Sequence, residues 1–191
     1  MTQPLLALVV KVAKLCDDIG AEYALGGSLA ASFFGEPRST ADADLAIVLD
    51  PRSGPRLVEA LAEDLYVPVQ DALDAVTDGR SFNAIDTTLG LKIDVFKLGD
   101  GLLDRRQIER RVLVPWPDLE PGLWVTSPED QVLRKLDWYR AGGSASDRQW
   151  HDVLGLLRVG VDALDLGYLR ETASQLGLAS HLDRALMDAG Q

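Results

Sequence analysis

The most constraining feature of the chain is the apolar run Leu45-Ala46-Ile47-Val48-Leu49, entered through Ala41-Asp42-Ala43-Asp44 and closed by Asp50-Pro51. A short apolar run bounded by turn residues reads as a buried strand. Its entrance is unusual. Asp42 and Asp44, two apart on an extended chain, project from the same face. Like charges at that spacing repel, so neither folding nor solubility asks for them. A divalent cation would remove the penalty, because Mg²⁺ takes carboxylate oxygens and completes its shell with substrate phosphates. The plainer reading has one Asp capping a turn and the other solvated.

Composition narrows the partners. The 191 residues carry 19 Lys+Arg against 30 Asp+Glu, a formal charge of −11. Neutralising a phosphate backbone takes a basic face, so extended nucleic-acid binding is disfavoured, although a local basic groove is not. The 47% hydrophobic content is that of a globular chain with a real core. A single Cys and two His weaken any zinc or disulfide reading, and Cys16 reads as a small buried residue in a reducing cytoplasm. No apolar run reaches membrane-span length, and Met1-Thr2-Gln3-Pro4 lacks the basic region of a signal peptide. The expectation is a cytoplasmic protein with no membrane partner.

Periodicity supplies the remaining elements. A helix is predicted over 4–19, ended by Gly20, then a short strand at Tyr23-Ala24-Leu25. Ser28 reads as the cap of a short helix running to Phe34. Helices are predicted at 55–65 and 70–77, and strands at 81–87 and 91–98. Pro115, Pro117 and Pro121 mark a loop before a short strand at Trp124-Val125-Thr126. Ser127-Pro128-Glu129-Asp130 then starts a wholly helical region, with helices at 128–141, 146–158, 165–176 and 178–188. The division expected is an α/β part over 1–126 and a helical part over 127–191.

Two further features bear on chemistry. Gly26-Gly27-Ser28 stands before a helix, where glycines admit a phosphate to free N–H groups and Ser28 adds a donor. It also reads as an ordinary tight turn. Asp94, in Lys92-Ile93-Asp94-Val95-Phe96, points away from its apolar neighbours, to solvent or to a site. If its strand lies beside the one carrying Asp42 and Asp44, three carboxylates converge, a set able to hold metal and activate a hydroxyl. In phosphatases with an Asp nucleophile the paired acids follow the strand. Here they precede it.

Gly27-Ser28, then Asp42-Ala43-Asp44-Leu45, then Asp94 on a later strand, resembles the DNA polymerase β-type nucleotidyltransferase superfamily. The nearest group is the minimal bacterial nucleotidyltransferases, AbiEii-like toxins included. The resemblance implies an α/β (α+β) fold: a small mixed sheet, flanking helices and a C-terminal helical bundle. It implies transfer of a nucleoside monophosphate from an NTP to an acceptor hydroxyl on a small molecule, a protein or tRNA. Mg²⁺ or Mn²⁺ would be held by Asp42, Asp44 and Asp94. Gly27 and Ser28 would bind phosphate. Arg38 and Thr40 match the Arg-x-Thr that precedes the acids in related chains, and Lys135 matches a helix Lys that contacts phosphate.

Alternatives stay beside these assignments. Lys135 also reads as a solvated helix residue, and Arg148 with Asp152 as a helical ion pair. Arg105, Arg106, Arg110 and Arg111 read as a solvated face or as an acceptor contact. Trp116, Trp124, Trp138 and Trp150 read as core or interface anchors. The rival function is a catalytically silent nucleotidyltransferase-fold module, binding nucleotide or a cognate antitoxin.

Overall fold

A computed structural model describes residues 3–37, 39–117, 119–160 and 163–191. The strands are β1 (Tyr23–Gly26), β2 (Asp42–Ile47), β3 (Phe82–Asp86), β4 (Leu91–Lys97), β5 (Val112–Trp116) and β6 (Leu119–Val125). The helices are α1 (Gln3–Ile19), α2 (Gly27–Phe34), α3 (Ser53–Ala62), α4 (Val69–Thr77), α5 (Leu102–Glu109), α6 (Pro128–Ala141), α7 (Asp147–Gly160), α8 (Leu166–Gln175) and α9 (Ala179–Ala189).

The strands form one mixed sheet in the order β3-β4-β2-β1-β6-β5. The apolar run therefore lies in the middle of the sheet, between β1 (antiparallel) and β4 (parallel). Leu45 and Ile47 are fully buried and alternate with the acid positions, so β2 keeps one face for packing and one for the acids. Ile93 and Val95 do the same on β4. These faces join α1, α3 and α4 in one apolar core. A second core gathers α6, α7, α8 and α9 and reaches back to Ala31 of α2 and Leu103 of α5.

Two local expectations need correction. The prolines of 115–121 do not form a loop. Pro115 and Pro121 lie inside β5 and β6, around a register irregularity between Val114 and Trp116, where a residue without an N–H is tolerated. Arg105 and Arg106 lie in α5, whose Leu103 packs into the second core. Ser28 is not a cap. The helix begins two residues earlier, at Gly27, and Gly26 holds the cap position with no side-chain bond. Ser127 does cap α6, accepting from the Asp130 N–H at 3.2 Å.

Candidate active site

β2 and β4 run parallel, with Asp42 opposite Lys92 and Asp44 opposite Asp94. Partners in a parallel ladder project from the same face, so the three acids share the face left uncovered by the core. This juxtaposition follows from the pairing of two strands almost fifty residues apart in sequence. Asp42, Asp44 and Asp94 line one cavity of about 190 Å³ with Gly27, Ser28, Thr40 and Lys135. All of the sequence-selected residues except Arg38, which lies outside the described residues, are thus in one place.

Gly27 explains the Gly-Ser turn. Its φ is +62°, and a Cβ there would lie 1.6 Å from Asp44 Oδ2. Only glycine lets the turn into α2 pass so close to that carboxylate. Ser28 Oγ reaches Asp152 Oδ2 at 3.4 Å, so the hydroxyl is tied to α7 rather than to its own helix N-terminus. Thr40 is a brace for the strand entrance: its hydroxyl donates to the Asp42 carbonyl at 3.0 Å and accepts from the Asp42 N–H at 3.3 Å.

Lys135 is 1% exposed. Its Nζ donates to Asp152 Oδ2 at 2.8 Å, which overturns its reading as a solvated helix residue. Asp152 turns to Lys135 rather than to Arg148, so the expected i,i+4 pair on α7 gives way to a buried inter-helix pair. Arg148 lines the acid cavity instead.

The electrostatics of the acids are uneven. Burial, then the charge of Asp94, hold the Asp44 carboxyl above its ordinary range, while Lys135 pulls it down. Lys92, overlooked at the level of sequence, stands among the acids. Its Nζ is 2.8 Å from Asp94 Oδ2 and 4.0 Å from Asp42 Oδ1. The hydrogen bond to Asp94 raises its own pKa. Among the described residues no three His, Cys, Asp or Glu side chains stand together as a ready metal cluster. An ammonium already sits between two of the acids.

The donor set nonetheless suits a hard cation: carboxylate oxygens on one face of adjacent strands, beside a glycine cradle that leaves room at Asp44. Asp42, Asp44 and Asp94 are the residues that could hold one.

The arginines of 105–111 are accounted for internally. Arg105 bonds the Asp100 carbonyl, Arg106 pairs with Glu109, Arg110 lies over the Tyr168 ring and Arg111 pairs with Glu22. Trp116 packs edge-on to Phe33, Trp124 lies under Arg111 and Trp150 lies beside Tyr139. Trp138 departs from the anchor reading, since it lines the acid cavity.

Two solved structures match this architecture over nearly their whole length. An antigenic nucleotidyltransferase-like protein from Paracoccidioides brasiliensis aligns with a TM-score of 0.58 at 18% identity, covering 98% of this chain and 94% of that one. The antibiotic-resistance factor ANT(2'')-Ia aligns with a TM-score of 0.55 at 14% identity, covering 96% and 99%. The chain has a nucleotidyltransferase fold. No protein-family profile matches the sequence, and no curated protein matches it. Among the described residues of this nucleotidyltransferase fold, no helix is long and apolar enough to cross a membrane.

Proposed function

We propose that the protein is a metal-dependent nucleotidyltransferase that moves a nucleoside monophosphate from an NTP to an acceptor hydroxyl. The observation that carries this reading is the pairing of Asp44 with Asp94 across β2 and β4, with Asp42 on the same face and Gly27 against Asp44. The nucleotidyltransferase fold of both structural neighbours supports it.

In the reaction, the acceptor oxygen bonds to the α-phosphorus and the bond from that phosphorus to pyrophosphate breaks. The proton of the acceptor hydroxyl passes to Asp94, whose Oδ1 is the oxygen not held by Lys92. A bound Mg²⁺ or Mn²⁺ would supply charge neutralisation and a lowered pKa for that hydroxyl. The chain contributes position: Gly27 and Ser28 open the start of α2 to phosphate, and Lys135, fixed by Asp152, presents a cation to the same cavity. Phosphoryl transfer depends mostly on such placement and charge.

The direct experiment is incubation with each of the four labelled NTPs, Mg²⁺ and candidate acceptors, followed by mass analysis of the products. A gain of one nucleoside monophosphate on an acceptor, lost in Asp42→Ala, is the expected result. Absence of any adduct, with no thermal stabilisation by any Mg²⁺–NTP, overturns the reading.

One observation favours the second reading, a nucleotide-binding module without turnover. Lys92 occupies the space between Asp42 and Asp94. In that case NTP would stabilise the chain with no product formed.

A further inference from the structure

A second cavity, of about 200 Å³, opens beside Asp44. It shares Gly27, Asp44 and Trp138 with the acid cavity. Helix α6 supplies the division. Gln131, Arg134 and Trp138, one turn apart on the same side of the helix, line the second cavity, while Lys135 faces the acids.

The charged residues lining this cavity are two acids, Asp44 and Asp104, and two cations, Lys97 and Arg134. Lys97 Nζ donates to the Val76 carbonyl at 2.8 Å. In the nucleotidyltransferase reading Asp44 would be held by the cation. Asp104 accepts from Arg134 Nη2 at 2.6 Å through one oxygen and from the Gly99 N–H at 3.1 Å through the other. Gln107 is likewise committed: its Oε1 accepts from Arg134 at 3.2 Å and its Nε2 donates to Thr126 Oγ1 at 3.0 Å. No lining carboxylate is left for a ligand ammonium group.

What remains is one donor and two rings. Gln131 is 2% exposed, and its Nε2 has no hydrogen-bond partner among the described residues. A buried amide donor left unpaired is costly, and such groups in native proteins usually have a partner. Phe96 and Trp138, with centroids 6.0 Å apart and planes inclined at 38°, give the cavity a half-buried aromatic wall. A wall of that kind favours a flat ligand face.

We propose that this cavity is the acceptor site and that it takes a neutral, planar hydroxy compound, with an oxygen or ring nitrogen accepting from Gln131 Nε2, rather than a polycation. The assignment as acceptor, and the charge class in so far as it commits Asp44 to a cation, rest on the nucleotidyltransferase reading. The contact at Gln131 rests on the lining alone.

The test follows the Gln131 side-chain amide and the Trp138 indole N–H of the ¹⁵N-labelled full chain by NMR. Three sets of probes are titrated separately. They are a panel of neutral aryl glycosides and aromatic alcohols (4-nitrophenyl β-D-glucopyranoside among them), the polycation neomycin, and the four NTPs with Mg²⁺. Neutral compounds should move both resonances without nucleotide, and neomycin should move neither. The NTPs should move Ser28 and leave the Gln131 amide in place. Gln131→Leu, similar in volume and free of the unpaired donor, should fold normally and weaken the neutral compound by about tenfold, the upper range for one hydrogen bond. Phe96→Ala should weaken it independently.

Three results overturn the proposal: a panel that leaves both resonances unmoved, neomycin binding there more tightly than the neutral compounds, or an NTP that moves Gln131 and so claims the cavity for its base. NTPs that bind nowhere, beside a neutral compound that does bind, overturn the nucleotidyltransferase reading and with it the acceptor role and the argument from Asp44, while the contact at Gln131 stands.

Discussion

Asp44 and Asp94 are register partners on adjacent parallel strands, and one of them is held protonated more readily than a carboxylate in water. Burial of Asp44 beside a second acid means the folded chain binds that proton more tightly than the unfolded chain does. Stability from this source is full below the ordinary value of 3.8 and is lost as the pH rises through the raised value of Asp44. Asp44→Asn should therefore raise the melting temperature of the metal-free chain at neutral pH while removing Mg²⁺-dependent NTP stabilisation. A lowered melting temperature in scanning calorimetry would count against this account.

Metal affinity should rise with pH over the same window, because a cation competes with the Asp44 proton. Titration of Mn²⁺ by electron paramagnetic resonance, at a series of pH values from the ordinary 3.8 upward, reads this directly. A pH-independent affinity would remove Asp44 from the ligand set.

Lys92 competes for the same oxygens as a cation, with its ammonium 2.8 Å from Asp94. Lys92→Met should tighten Mn²⁺ binding. Its removal should also lower the melting temperature of the metal-free chain, since Asp42 and Asp94 then face each other without an intervening charge. Weaker Mn²⁺ binding would instead make Lys92 a support of the site.

Gly27→Ala places a methyl group where Asp44 Oδ2 now lies, at a backbone φ of +62°. The left-handed conformation alone costs about 1–2 kcal/mol for an L-residue. Denaturant unfolding should show at least that loss, and NTP binding should fall with it. A variant of unchanged stability would mean that the turn can be rebuilt.

The Lys135–Asp152 pair is buried between α6 and α7. Removing one member of a buried pair costs about 3–5 kcal/mol when it leaves the other charge unmatched. Asp152 keeps the Ser28 hydroxyl as a donor, so Lys135→Met should lose stability in urea unfolding by less than that. The more conservative Asp152→Asn, which keeps a carbonyl oxygen near Lys135, should lose less.

The sequence carried the parts of this site that depend on local order. The acid pair at the entrance of an apolar strand, the Gly-Ser turn and the Ser127 cap are all decided within a few residues. Positions decided by pairing or docking were not legible. The place of Lys92 among the acids needs the register of β2 against β4. The turn of Asp152 toward Lys135, and of Trp138 and Gln131 toward a second cavity, needs the docking of α6 and α7. Ser28 was misread as a cap because the helix starts two residues early, at Gly27, whose positive φ is invisible in the letter sequence. The β5–β6 hairpin was missed because its prolines sit around a register irregularity, and register is a property of the strand pair.

Asp44 is a wall common to both cavities. A shared wall makes the two occupants thermodynamically linked. Whatever one ligand does to the charge or position of Asp44 is felt by the other, and the factor must be the same in both directions. An acceptor affinity measured without nucleotide is then only half of a pair. Its ratio to the affinity measured with nucleotide is a single number that describes how far this carboxylate carries information from one substrate to the other.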